Sequence, residues 1–67
     1  MDRLVYSGVW VSEGHYITFT INDNDTVTIK EDFKAAFKAS STHKIVDIDT
    51  AIEYQEKHIR LGYDKIS

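Results

Sequence analysis

The chain has no cysteine and no proline, and only three glycines, one methionine and one tryptophan among its 67 residues. Without thiols there is no disulfide framework, thiolate zinc site or cysteine nucleophile, and nothing calls for an oxidising compartment, so the cytoplasm is the expected location. Without proline, the turns must rest on Gly, Asn, Asp and Ser. No apolar run approaches the length needed to span a bilayer. The opening residues Met1-Asp2-Arg3-Leu4 lack the basic stretch and apolar run of a signal peptide, so neither secretion nor membrane insertion is expected. A basic excess is also missing. The net charge is −3, with Arg3 set against Asp2, Glu13, Asp23 and Asp25 in residues 1–29 and a balance of acids and bases thereafter, which disfavours recognition of nucleic-acid phosphates.

What is present is an ordinary globular composition, 42% hydrophobic and 28% charged. It predicts one domain over residues 1–67, close to the smallest size at which a core offsets chain entropy unaided, so that a partner or a second copy would matter to stability. The predicted class is α+β: a three-stranded antiparallel meander over about 4–11, 15–21 and 26–30, then helices over about 31–39 and 50–61, with a short edge strand or loop near 44–48.

Register decides which side chains face the core. A two-residue Glu13-Gly14 loop would force a glutamate to positive φ, so a three-residue loop of Ser12, Glu13 and Gly14 is expected. That parity gathers Val5, Val9 and Val11 with Ile17, Phe19 and Ile21 as the core face. A loop of Asp23, Asn24 and Asp25 gives the same parity, pairing Ile21 with Val27 and Phe19 with Ile29. The opposite face then carries Leu4, Tyr6, Trp10, Tyr16, Thr18, Thr20 and Thr28, too aromatic to be left simply in water. In the first helix Phe33, Ala36 and Phe37 form the apolar stripe. In the second, Ile48, Ala51, Ile52, Ile59, Tyr63 and Ile66 do so, with Thr50 and Glu53 as a capping box, Gly62 as the stop, and Tyr54 and Leu61 facing away.

Signals for chemistry are few. His15, His43 and His58 lie in three elements without metal-ligand spacing. Asp23 and Asp25 resemble the opening of a calcium loop, but its twelfth position is Lys34. The serines and glycines make neither a nucleophile elbow nor a phosphate-binding loop. No enzyme, cofactor or metal is expected. The expected function is a small non-catalytic protein-binding module, a regulator or inhibitor that occupies a partner protein's surface through Tyr6, Trp10, Tyr16, Tyr54 and Leu61, since Tyr and Trp dominate binding hot spots. Small acidic chains of this kind suit the accessory proteins of phages and mobile elements, and a homodimer through the same face is a further expectation. If Trp10 is on that face, Trp10→Glu leaves the fold intact. The alternative is a small DNA-binding regulator that uses Lys30, Lys34 and Lys38, spaced four residues apart, as a basic stripe.

Overall fold

The computed structural model describes residues 4–34 and 39–67. Among them are five strands and one helix: β1 (Gly8–Ser12), β2 (His15–Ile21), β3 (Thr26–Lys34), β4 (Ala39–Asp47), α1 (Ile48–Arg60) and β5 (Asp64–Lys65). The strands form one antiparallel sheet in the order β4-β3-β2-β1-β5, and α1 crosses one face of it. This corrects the expected meander followed by two helices. Glu31 to Lys34 continue β3 instead of opening a helix, because Val27, Ile29, Glu31 and Phe33 alternate onto one face. Residues 35–38, which hold the rest of the expected Phe33-Ala36-Phe37 stripe, lie outside the described residues. Of the segment expected as a short edge strand or loop near 44–48, residues 44–47 close a strand of nine residues and Ile48 opens α1.

The second hairpin has the expected register. Ile21 pairs with Val27 and Phe19 with Ile29. Asn22 N–H bonds the Thr26 carbonyl at 2.8 Å, and Asp25 takes the left-handed position at φ 61°. The first hairpin differs. Ser12 pairs with His15, leaving a two-residue Glu13-Gly14 turn with φ of 47° and 80°, the type I′ geometry whose twist suits a hairpin. Relative to the expected loop, β1 is thereby turned over. Trp10 pairs with Ile17 and is 4% exposed in the core beside Phe19, Val27, Ile29 and Ala51. Val9 and Val11 face outward, opposite Thr18 and Tyr16.

A left-handed glutamate costs on the order of 1 kcal/mol, whereas burying a tryptophan contributes several times that. The faces therefore choose the turn, and the strain at Glu13 is tolerated. Glu13→Asn, which supplies the Asn-Gly pair favoured in this turn, is expected to raise stability by about 0.5–1 kcal/mol, or several degrees in thermal midpoint for a chain this short. A thermal melt of the variant checks this.

The helix starts at Asp47, whose carboxylate accepts from Thr50 N–H at 3.1 Å, so the cap lies three residues ahead of the expected Thr50-Glu53 box. It stops at Gly62 as expected. Tyr63 N–H bonds the His58 carbonyl and Gly62 N–H the Ile59 carbonyl, with glycine at φ 94°. Ala51, Ile52, Gln55 and His58 are its buried residues, while Ile59 and Ile66 of the expected stripe are exposed. The Gln55 amide acts as a backbone mimic: it accepts from Tyr6 N–H at 3.0 Å and donates to the Tyr6 carbonyl at 2.8 Å, pinning the segment before β1 beside the helix. Among the described residues, no helix is long and apolar enough to cross a membrane.

Candidate functional site

Face assignment scatters the residues expected to form one binding patch. Trp10 is in the core. Tyr16 lies on the uncovered sheet face beneath Lys34, whose Nζ is 4.8 Å from the ring centroid. Tyr54 is on the underside of α1, Tyr6 is exposed beside the helix, and Leu61 is exposed at its C-terminal end. The expected aromatic patch is therefore corrected: a one-residue change of register moves its central member to the other face. Lys30 and Lys34 do share a face, as alternate residues of a strand with Asp32 between them, and not as a helical stripe. Lys38 lies outside the described residues.

The register instead gathers a polar network that is not apparent in the sequence. His15 stands two residues before Ile17, and Glu31 two residues after Ile29, so both point to the helix side. There His15 Nε2 donates to Glu31 Oε1 at 2.8 Å, and the Tyr54 hydroxyl donates to Glu31 Oε2 at 2.5 Å. The Tyr63 hydroxyl lies 2.5 Å from His15 Nδ1 and donates to it when the imidazole is neutral. His58 Nδ1 donates to the Tyr54 carbonyl at 2.7 Å. Phe33 stacks on His15 with a 4.1 Å centroid separation, and Tyr63 meets His58 edge to face at 4.9 Å.

These contacts set the charges. Burial pushes the Glu31 carboxyl up, but hydrogen bonds from Tyr54 and His15, with the positive charges of His15 and Lys44, outweigh it and hold the group below its ordinary range. Burial, then the hydrogen bond to Glu31 and its negative charge, raise the Tyr54 phenol. Among the described residues no buried side-chain polar atom lacks a partner, and no cluster of His, Cys, Asp or Glu is placed to hold a metal ion. A carboxylate, an imidazole and two phenols in series can pass a proton in principle. The network's bonds also fasten α1 and the chain after it to β2 and β3.

That fastening supports the most exposed of the four longer strands. β4 forms one edge of the sheet, paired with β3 alone from Thr26–Asp47 to Lys34–Ala39 without a bulge. Eight of its nine side chains are exposed, and only Val46 is partly covered. Ile45, on the uncovered face, is 66% exposed, the highest value among the exposed large hydrophobic side chains. Lys44 faces the helix, with its Nζ 4.7 Å from the Tyr54 ring centroid. At the opposite edge β5 is only two residues long. The sequence signal for the edge was weak, since Ala39-Ser40-Ser41-Thr42-His43 has little apolar alternation. Its strand state comes from pairing with β3. Compared with family models, curated proteins and solved structures, the chain matches none of them.

Proposed function

We propose that the chain is a small non-catalytic protein-binding module that engages another polypeptide by adding a strand of it to the free edge of β4. The observation that carries this reading is the edge itself: a nine-residue, unbulged strand with one side unpaired among the described residues. Backbone N–H and C=O groups along such an edge form a ready template for a further strand, with side-chain alternation supplying specificity. Proteins that avoid edge pairing use proline, bulges, very short strands or outward lysines. β4 has none of the first three, and its lysine is turned over the Tyr54 ring. The Glu31 network holds the neighbouring strand against the helix, so the template is ordered before binding and less entropy is lost on association. A module of this kind regulates or inhibits by occupying the partner's own exposed strand or surface.

The test uses two prolines. Successive N–H groups of a strand point to opposite edges, so Ser41→Pro and Thr42→Pro differ in consequence. One breaks a bond to β3 and destabilises the fold. The other removes a donor from the free edge and leaves the fold standing. In affinity capture by the tagged chain from its own host's lysate, the folded proline variant is expected to lose a stoichiometric protein that Leu61→Glu retains. Retention of that protein by the folded proline variant would count against strand addition.

A second reading, nucleic-acid binding on the uncovered sheet face, rests on Lys30 and Lys34 lying there with Tyr16. It requires binding that falls steeply with salt and is lost in a Lys30→Glu, Lys34→Glu double variant.

A further inference from the structure

We infer that the strand added to β4 is the β4 of a second copy, paired antiparallel with His43 on the two-fold axis, so that the two sheets become continuous. This rests on the edge-binding reading above and names its occupant.

Symmetry limits the choices. An antiparallel edge-to-edge dimer has its two-fold axis perpendicular to the sheet, which keeps both helices on one side and places one residue of each chain on the axis. Of the residues that could sit there, His43 is the midpoint of Ala39–Asp47, and only that choice pairs all nine residues. It sets Lys44 against Thr42, Ile45 against Ser41, Val46 against Ser40 and Asp47 against Ala39. The N-terminal half of β4 is small and the C-terminal half large, so each bulky side chain meets a small one. Ile45, the most exposed of the large hydrophobic side chains, is covered by the partner's Ser41 and its neighbours. No fixed like charges fall opposite one another. Centring on Lys44 would oppose two ammonium groups, which is destabilising. Centring on Thr42 would carry residues 46 and 47 past the partner's strand. Neutral imidazoles tolerate the pairing at the axis, whereas a permanent charge at position 43 would not. The chain also lies near the lower size limit for an independent core, where a second copy adds most.

A nine-residue seam is small among protein interfaces, so association in the micromolar range is expected. The cysteine-free sequence allows a register-specific test. Directly opposed residues have Cβ atoms about 4.5–5.5 Å apart, close enough for a disulfide after slight adjustment. Two copies of Ser41 would be about 13 Å apart along the seam, beyond reach. Under mild oxidation at about 100 µM, His43→Cys is expected to cross-link into dimers at a yield at least several-fold above Ser41→Cys or Ile45→Cys alone. Mixing Ser41→Cys with Ile45→Cys should restore the cross-link. Sedimentation of the unmodified chain should show its mass doubling with concentration, and His43→Lys should abolish this without altering the circular dichroism. A monomer at every concentration up to about 1 mM would overturn the inference, as would equal cross-linking at all three positions or preferential cross-linking through Thr18→Cys on the uncovered face. A monomer that still captures another protein through β4 would overturn the second copy as occupant while leaving strand addition standing.

Discussion

Replacing Trp10 with glutamate is expected to unfold the domain. The indole is 4% exposed and meets the Phe19 ring edge to face at 5.4 Å, in a cluster with Ile17, Val27, Ile29 and Ala51. Truncating a buried tryptophan to alanine costs about 3–5 kcal/mol, and a chain of this length has only about 3–10 kcal/mol in all. Glutamate adds an unpaired charge to the same site. Trp10→Ala should leave a marginal fold and Trp10→Glu none, read as loss of the cooperative melt by circular dichroism. Leu61→Glu, at a side chain 63% exposed, is expected to change stability by less than about 0.5 kcal/mol. A folded Trp10→Glu variant would mean that the hairpin has the three-residue loop and that β1 presents its other face to the core.

The second large effect is expected at Glu31, which accepts from both His15 and Tyr54. Glu31→Ala leaves two partly buried donors without their acceptor, at a cost of about 1–3 kcal/mol for each. It should also change how stability depends on pH. The folded Glu31 carboxyl is held below its ordinary value of 4.5, so the unfolded chain binds the proton more tightly. The contribution of Glu31 is then whole above the unfolded value and is lost as pH falls through the folded one. Tyr54 runs the other way. Its phenol is raised above the ordinary value of 10.0, so its contribution is whole below that value and is lost as pH climbs past it. The wild-type chain should show a stability plateau between these limbs. Asp47, its carboxyl lowered by hydrogen bonds from Thr50, also shapes the acid limb, so the informative quantity is the difference between variants. Denaturant titrations at a series of pH values should show a shallower acid limb for Glu31→Gln and a shallower alkaline limb for Tyr54→Phe. Unchanged limbs would show that the network does not hold the fold.

How much of this could be read from the residues depended on whether local and global preferences agreed. Around Asp23-Asn24-Asp25 they agree. An aspartate accepts the left-handed position, and Phe19, Ile21, Val27 and Ile29 alternate on one face, so that hairpin's register was legible. At Glu13-Gly14 they conflict. The local penalty on glutamate argues for a longer loop, and the burial of Trp10 overrides it. The relative size of those two effects could have been weighed from the sequence, because a single tryptophan is worth more to a small core than one strained turn residue costs. Phe33, Ala36 and Phe37 imitate a helical stripe, yet Thr26 to Phe33 also alternates, and the sheet uses the alternation through Phe33. β4 was largely hidden because its first five residues are small or polar and gain strand structure only from β3. The network was hidden for a different reason. His15, Glu31 and the 54–63 segment come from three separate stretches of the chain, and they meet because β3 runs on through Glu31, where a helix was expected to begin, and because Tyr54 faces the sheet and not away from it.

The most direct test of the pairing of β4 with the β4 of a second copy is amide hydrogen exchange along Ala39–Asp47, followed residue by residue as the protein concentration is raised. Alternate amides of β4 bond β3, and those between them face the free edge. The account predicts that the edge-facing amides exchange rapidly in dilute solution and become protected as a second strand pairs with them, with the β3-bonded set protected throughout. Edge-facing amides that exchange at the same rapid rate at every concentration, while the rest of the sheet stays protected, would contradict it.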